Sequence, residues 1–191
     1  MTDKTCILIS GANCSGKTSV ARGLLDHFGG IGAVTPEATF SADGRAIFAG
    51  RYANVKHGGV DYLNSTKPLQ GIVRNGLLTA DYAICEGSYL DTFGMNLLNA
   101  IFEAKRQAYV ALWCSRAKLY ERNKARLSVE NRAKRTNAEE AAIMQGIYRR
   151  QDRVFKAAKK YASIGVPVLT FDTGASSIEE ITEQILKWLG E

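Results

Sequence analysis

The 191-residue chain, 46% hydrophobic and 23% charged, is long enough to bury one substantial core and too short for two domains of ordinary size. No run approaches the roughly 20 apolar residues of a membrane helix, no signal-peptide pattern precedes the first apolar stretch, and the cysteines (Cys6, Cys14, Cys85, Cys114) form no CxxC. A cytoplasmic protein without membrane, zinc or disulfide framework is therefore expected. The net charge of +6 is unevenly placed: residues 105–160 hold sixteen Lys and Arg against five acids, +11, and the rest of the chain carries −5, a distribution suited to phosphate-bearing partners.

In chain order, residues 5–10 (TCILIS) form a short β-branched run ending at Gly11, which predicts a buried strand feeding a turn. Val20, Ala21, Leu24, Leu25 and Phe28 then recur at helical spacing from Lys17, and Gly29-Gly30 ends that helix. A strand is expected at 31–35. The runs 38–41 and 46–49 flank Asp43-Gly44, a hairpin turn signal, so residues 38–61 read as a β-hairpin inserted into the fold, with a loop from Gly50 through Gly58-Gly59 to Asp61. A helix beginning near 63 or 68 and ending at 74, a strand at 80–85, a helix at 95–105 and a strand at 108–114 follow. Helices at 117–127 and 138–161 flank a polar, cationic segment, and a strand at 167–172 leads to an amphipathic helix at 178–189. Strands alternating with helices predict one three-layer α/β domain over 1–191 with a mostly parallel central sheet.

Between the first strand and first helix stands Gly11-Ala12-Asn13-Cys14-Ser15-Gly16-Lys17-Thr18, the pattern G-x-x-x-x-G-K-[ST]. Its glycines let the backbone wrap a phosphate, its N–H groups point inward, and the following helix adds its positive end. Such a loop binds a nucleotide, with Lys17 reaching the β and γ phosphates and Thr18 giving a hydroxyl to magnesium. ATP and Mg²⁺ are the expected ligands.

With this loop in place, the chain resembles the small P-loop kinases of the nucleoside, nucleotide and shikimate-type group over most of its length. The resemblance implies a P-loop NTPase fold and three further assignments. Glu86, after the apolar run Tyr82-Ala83-Ile84-Cys85, would stand near magnesium and substrate. Arg122 and Arg126, followed by Arg132, Lys134 and Arg135, fall where that group closes a basic lid, here about 127–137; an arginine fork suits phosphate oxygens. Asp172-Thr173-Gly174-Ala175 is similar to the loop that cradles the adenine. A GTPase would need N-K-x-D after a strand, whereas this chain has Asn123-Lys124-Ala125-Arg126 inside a predicted helix. Mechanical ATPases of the ABC and AAA types need longer chains and further elements.

Phosphoryl transfer also needs a group that orients or deprotonates the acceptor hydroxyl. The candidates are Glu37, Asp43, Asp61, Glu86 and Asp91; Asp61, after Gly58-Gly59, comes first and Glu86 second. His57, beside Lys56, and His27 lack an acidic neighbour in sequence to orient them. The hairpin and its glycine-rich exit depart from ordinary nucleoside monophosphate kinases and look more like phage-type P-loop kinases that modify nucleic acid, including those acting on 5-hydroxymethyluracil in DNA. Phe40, Phe48, Tyr52 and Tyr62 would then be available to stack on a base. Three readings stay open: a kinase of DNA or RNA, a kinase of a nucleoside, nucleotide or other metabolite, and a nucleotide-dependent binding module without transfer.

Overall fold

A computed structural model describes residues 3–53, 58–126 and 136–191. Seven strands, β1 (Thr5–Gly11), β2 (Ile31–Val34), β3 (Ala38–Ser41), β4 (Ala46–Ala49), β5 (Tyr82–Glu86), β6 (Arg106–Trp113) and β7 (Val168–Asp172), lie in one sheet in the order β2-β3-β4-β5-β1-β6-β7. The five strands from β4 to β7 pair in parallel, while β2 and β3 form an antiparallel edge. The described helices are α1 (Lys17–His27), α2 (Val60–Leu63), α3 (Leu69–Gly76), α4 (Met95–Ile101), α5 (Arg116–Arg126), α6 (Asn137–Ser163) and α7 (Ile178–Leu189), with a 3₁₀ turn at Ser88–Leu90.

The alternating side chains of a strand buried on both faces produce the three layers. Along β1, Ile7 and Ile9 join Val20, Leu24, Phe28, Ile181 and Ile185 from α1 and α7. Cys6 and Leu8 point the other way, into a cluster with Leu69, Val73, Leu97, Ile101, Val154 and Tyr161 from α3, α4 and α6. Local signals fix the helix ends. Thr136 and Ser177 cap α6 and α7, each in a reciprocal box with the glutamate three residues on.

One expectation is refined and one corrected. The hairpin at 38–49 exists, with Gly44 at φ 73° in its turn, and it is inserted into the central sheet itself: β4 pairs in parallel with β5 through Ala46, Ile47 and Phe48, because its four residues are apolar and buried on both faces. The glycine-rich loop does not run to Asp61. The one-turn helix α2 takes Val60 to Leu63 and ends at Asn64 in the left-handed region, and α3 starts only at Leu69.

β1 lies between β5 and β6, so the chain leaves its carboxyl end where successive connections diverge. In open parallel sheets that is where ligands bind, and the phosphate loop sits there.

Candidate active site

Gly11 ends β1 with no room for a side chain, since a Cβ there would stand 2.2 Å from Ser15 Oγ and 2.8 Å from the Leu112 carbonyl. Gly16 precedes α1 with φ 88°, and Cys14, a non-glycine residue, takes φ 69°. These two left-handed residues fold the loop around a hollow facing the N-terminus of α1. Lys17 is buried and donates from Nζ to the Ala12 carbonyl at 3.0 Å, which curls its side chain along the loop it serves. Burial draws its pKa down, against the opposing pull of Glu86 and Asp61.

The cleft above the loop has a volume of about 870 Å³, and Asn13, Cys14, Gly16, Lys17, Thr18, Asp61, Arg122 and Arg126 all line it. Residues more than a hundred positions apart in sequence thus converge on one cleft. Gly11, Ala12 and Ser15 support the loop from behind, Ala12 and Ser15 with no exposed surface.

Glu86 ends β5 at 1% exposure and its Oε1 accepts from the Thr18 hydroxyl at 3.2 Å. Desolvation pushes its carboxyl up to about 7, with Asp61 adding to the rise and Lys17 and the Thr18 hydrogen bond opposing it. Gly59 makes this position possible: at φ 69° its Cα lies so close that a Cβ would stand 2.3 Å from the Glu86 carbonyl and 2.4 Å from Oε1. A hydroxyl and a carboxylate beside a phosphate loop are the hard oxygen donors that magnesium takes from a protein when phosphate and water complete its shell. Thr18 and Glu86 therefore fit a magnesium ion. Among the described residues no group of three or more His, Cys, Asp or Glu comes together as an all-protein metal cage.

Asp61 stands in the first turn of α2, and its Oδ1 accepts the backbone N–H of Ser88 at 2.6 Å. That bond holds the carboxylate in the wall of the same cleft and leaves Oδ2 for a ligand. Ser88 also donates from Oγ to Asn13 Oδ1 at 3.0 Å, tying the turn after β5 to the phosphate loop.

Arg122 is a strut. Its guanidinium donates to the Thr173 hydroxyl (2.9 Å) and carbonyl and to the Cys14 carbonyl (3.3 Å), bracing the loop against the β7–α7 connection. Arg126 is the freer cation, with Nη1 at 3.6 Å from Cys14 Sγ. Asp172 does not line the cleft; its Oδ1 accepts from Gly174 N–H at 2.8 Å and shapes the turn. Arg132, Lys134, Arg135, Lys56 and His57 lie outside the described residues, as does most of the lid expected at 127–137.

The other candidate acids have structural duties. Asp43 binds Ser41 and Arg45 within the hairpin turn, and Glu37 is exposed in the turn between β2 and β3. Asp91, only 4% exposed, holds Arg150 (3.3 Å) and Arg153 (2.8 Å) of α6. Of the four aromatics offered for base stacking, Phe48 and Tyr52 are buried and pack edge-to-face in the core, and Phe40 is half-buried against it. Tyr62 remains at the surface under Arg51. The sequence reading missed Arg150, Ser88 and Tyr89, which line the cleft. The run of cations in 105–160 signalled that arginines gather near the site but not which of them face it.

No protein-family model matches the chain, and no curated protein matches it in sequence. Solved structures match in shape. The YorR protein of Bacillus subtilis, in complex with phosphorylated GDP, is 15% identical over 97% of this chain and 95% of its own, with a TM-score of 0.56. The structure of APE1195 is also 15% identical, over 100% of this chain and 97% of its own, with a TM-score of 0.52. A shikimate kinase from Acinetobacter baumannii, in complex with shikimate, covers 97% of this chain and 93% of its own at 15% identity and a TM-score of 0.48. At such identities the likeness is one of fold: a layered α/β fold around a mostly parallel seven-stranded sheet.

Proposed function

We propose that this protein is a magnesium-dependent kinase that transfers the γ-phosphate of ATP to a hydroxyl group. The observation that carries the reading is the Thr18–Glu86 hydrogen bond, which seats a buried carboxylate directly behind a hydroxyl that lines the same cleft as Lys17 and Asp61. The phosphorylated GDP described for YorR supports a nucleotide as the occupant of such a cleft.

Each residue has a defined task. Backbone N–H groups of the loop and the N-terminus of α1 hold the β phosphate, and Lys17 leaves the Ala12 carbonyl to neutralise charge on the β and γ phosphates. Thr18 and Glu86 would hold magnesium, which would supply charge neutralisation at the transferring group. Asp61 Oδ2 accepts the proton of the acceptor hydroxyl as its oxygen bonds to the γ phosphorus and the bridging bond to ADP breaks. Arg126 and Arg150 face the same volume and offset the charge that collects on the phosphoryl oxygens. Lys17→Ala should keep the parent's unfolding temperature to within a few degrees and lose transfer by on the order of a hundredfold or more. Near-normal turnover by that variant would sink the assignment.

A second reading concerns the acceptor. The +11 stretch includes α5 and α6, which border the cleft, and this favours a hydroxyl carried by nucleic acid, on a base such as 5-hydroxymethyluracil in DNA or at a strand end. With Phe48 and Tyr52 in the core, the reading rests on charge rather than on stacking. Labelled ATP offered with nucleosides, nucleoside monophosphates, 5′-hydroxyl oligonucleotides and DNA containing 5-hydroxymethyluracil decides it. Label in a small molecule alone would return the acceptor to metabolites, and no label in any acceptor would leave a nucleotide-dependent binding module.

A further inference from the structure

Beside the transfer cleft lies a second groove, of about 380 Å³, which shares Asn13 and Arg150 with it. One wall is a single stretch of α6 that presents Gly146, Arg149, Arg150 and Arg153. The buried Asp91 carboxylate meets both Arg150 and Arg153, so two guanidinium groups are held in place before any ligand arrives. One buried carboxylate against three guanidiniums leaves an excess of positive charge. Among the described residues no carboxylate pairs with Arg149, which is exposed. Gly146 is not needed for packing, since a Cβ there would meet nothing within 4 Å. A glycine in mid-helix costs stability relative to other residues, and its effect here is to keep the groove open between the arginines and Asn13.

We propose that this groove is an anion subsite that seats a phosphate of the acceptor, next to the hydroxyl being phosphorylated. It rests on the kinase reading above and narrows its substrate to a phosphate-bearing acceptor. Asn13 sits at the junction, within the phosphate loop and hydrogen-bonded to Ser88, so an acceptor reaching past it would place one group near Asp61 and an anion near Arg149 and Arg153. Pinned guanidiniums bind phosphate oxygens with little ordering cost. A phosphomonoester and a backbone phosphodiester offer this chemistry equally.

The test uses matched pairs of ligands titrated calorimetrically into the full chain, with the phosphate loop first saturated with magnesium and β,γ-methylene-ATP. Thymidine against thymidine 5′-monophosphate reports a monoester. The dinucleotide TpT against its uncharged methylphosphonate analogue reports a diester. The charged member of at least one pair should bind about tenfold or more tightly, a difference of about 1.4 kcal/mol. Gly146→Glu and Arg149→Glu, which place a carboxylate in the groove, should each erase that preference while leaving the affinity for β,γ-methylene-ATP unchanged. The proposal is overturned if neither charged ligand is preferred, or if the preference survives in a folded variant. Should Gly146→Glu fail to fold, Arg149→Glu at an exposed position decides alone. Failure of β,γ-methylene-ATP to bind the parent protein would instead defeat the nucleotide reading, and the pairs would still report on the groove.

Discussion

Glu86 shows how a single residue sets stability against function. Its carboxyl is pushed up to about 7 by desolvation, so between its ordinary value of 4.5 and 7 the folded chain holds a proton that the unfolded chain has released. Metal-free stability should therefore fall as pH rises from about 4.5 to 7, with the full penalty, roughly 3 kcal/mol, present above 7. Urea unfolding in chelator at pH 5 and pH 8 measures this, and Glu86→Gln should flatten the difference; an equal pH dependence in both proteins would refute the account. The neighbouring Gly59 is under a steric rule: at φ 69°, with no room between its Cα and Glu86, Gly59→Ala should cost at least about 1–3 kcal/mol and reduce transfer more than ATP affinity. Much of this candidate site was legible because the phosphate loop is encoded within eight consecutive residues, and Glu86 and Asp61 stand within two residues of glycines that mark close approaches. Arg150 and Asp91 were not, since their roles arise only when α6 packs over the turn at Ser88–Leu90.

At the scale of elements, α3 and α4 are clamped at their solvent ends by Glu103, which accepts from Arg74 at 2.7 and 3.0 Å and from Gln70 at 2.7 Å. Arg74 first, then Gln70, hold the Glu103 carboxyl down at about 2. A depressed carboxyl stabilises the fold above its unfolded value of 4.5 and loses that contribution as pH falls toward 2. The pair is open to solvent, 59% for Arg74 and 18% for Glu103, so its effect is screened. Glu103→Gln should lower the melting temperature at pH 7 by no more than a few degrees, and the difference from the parent should shrink as pH falls from 4.5 and vanish only below about 2; a difference that grows in acid would contradict the clamp. Periodicity located all seven strands because each is a short apolar run bounded by turn residues. The one-turn helix α2 escaped it, being too short to show a helical period. The pairing of β4 with β5 escaped it too, because a continuously apolar run of four shows burial but not which strand lies alongside.

For the whole molecule, charge is segregated: +11 in residues 105–160, −5 elsewhere. Within the described part of that stretch, many cations are already committed. Arg122 braces Thr173, Lys118 meets Glu121, Lys105 meets Asp3, and Arg106 donates to the carbonyls of Trp188 and Leu189. Those turned toward the cleft and its side groove, Arg126, Arg149, Arg150 and Arg153, are the ones a polymer's phosphates would meet, and Asp91 offsets one charge in that group. About three neutralised phosphates therefore set the expected salt dependence, a slope of about −2 in log K against log salt for single-stranded nucleic acid. Between 50 and 200 mM KCl this weakens binding of a thymidine oligonucleotide by about fifteenfold, while binding of a neutral nucleoside barely changes. Fluorescence anisotropy across that range measures the slope. Arg149→Glu, one cation removed and an acid added, should make it shallower by about one unit or more. A slope near zero for the parent would mean that the basic stretch holds its charge in internal struts and a nucleotide, and would remove the ground for a nucleic-acid acceptor. A steep slope untouched by Arg149→Glu would move the polymer's path off α6 and onto another part of the basic stretch.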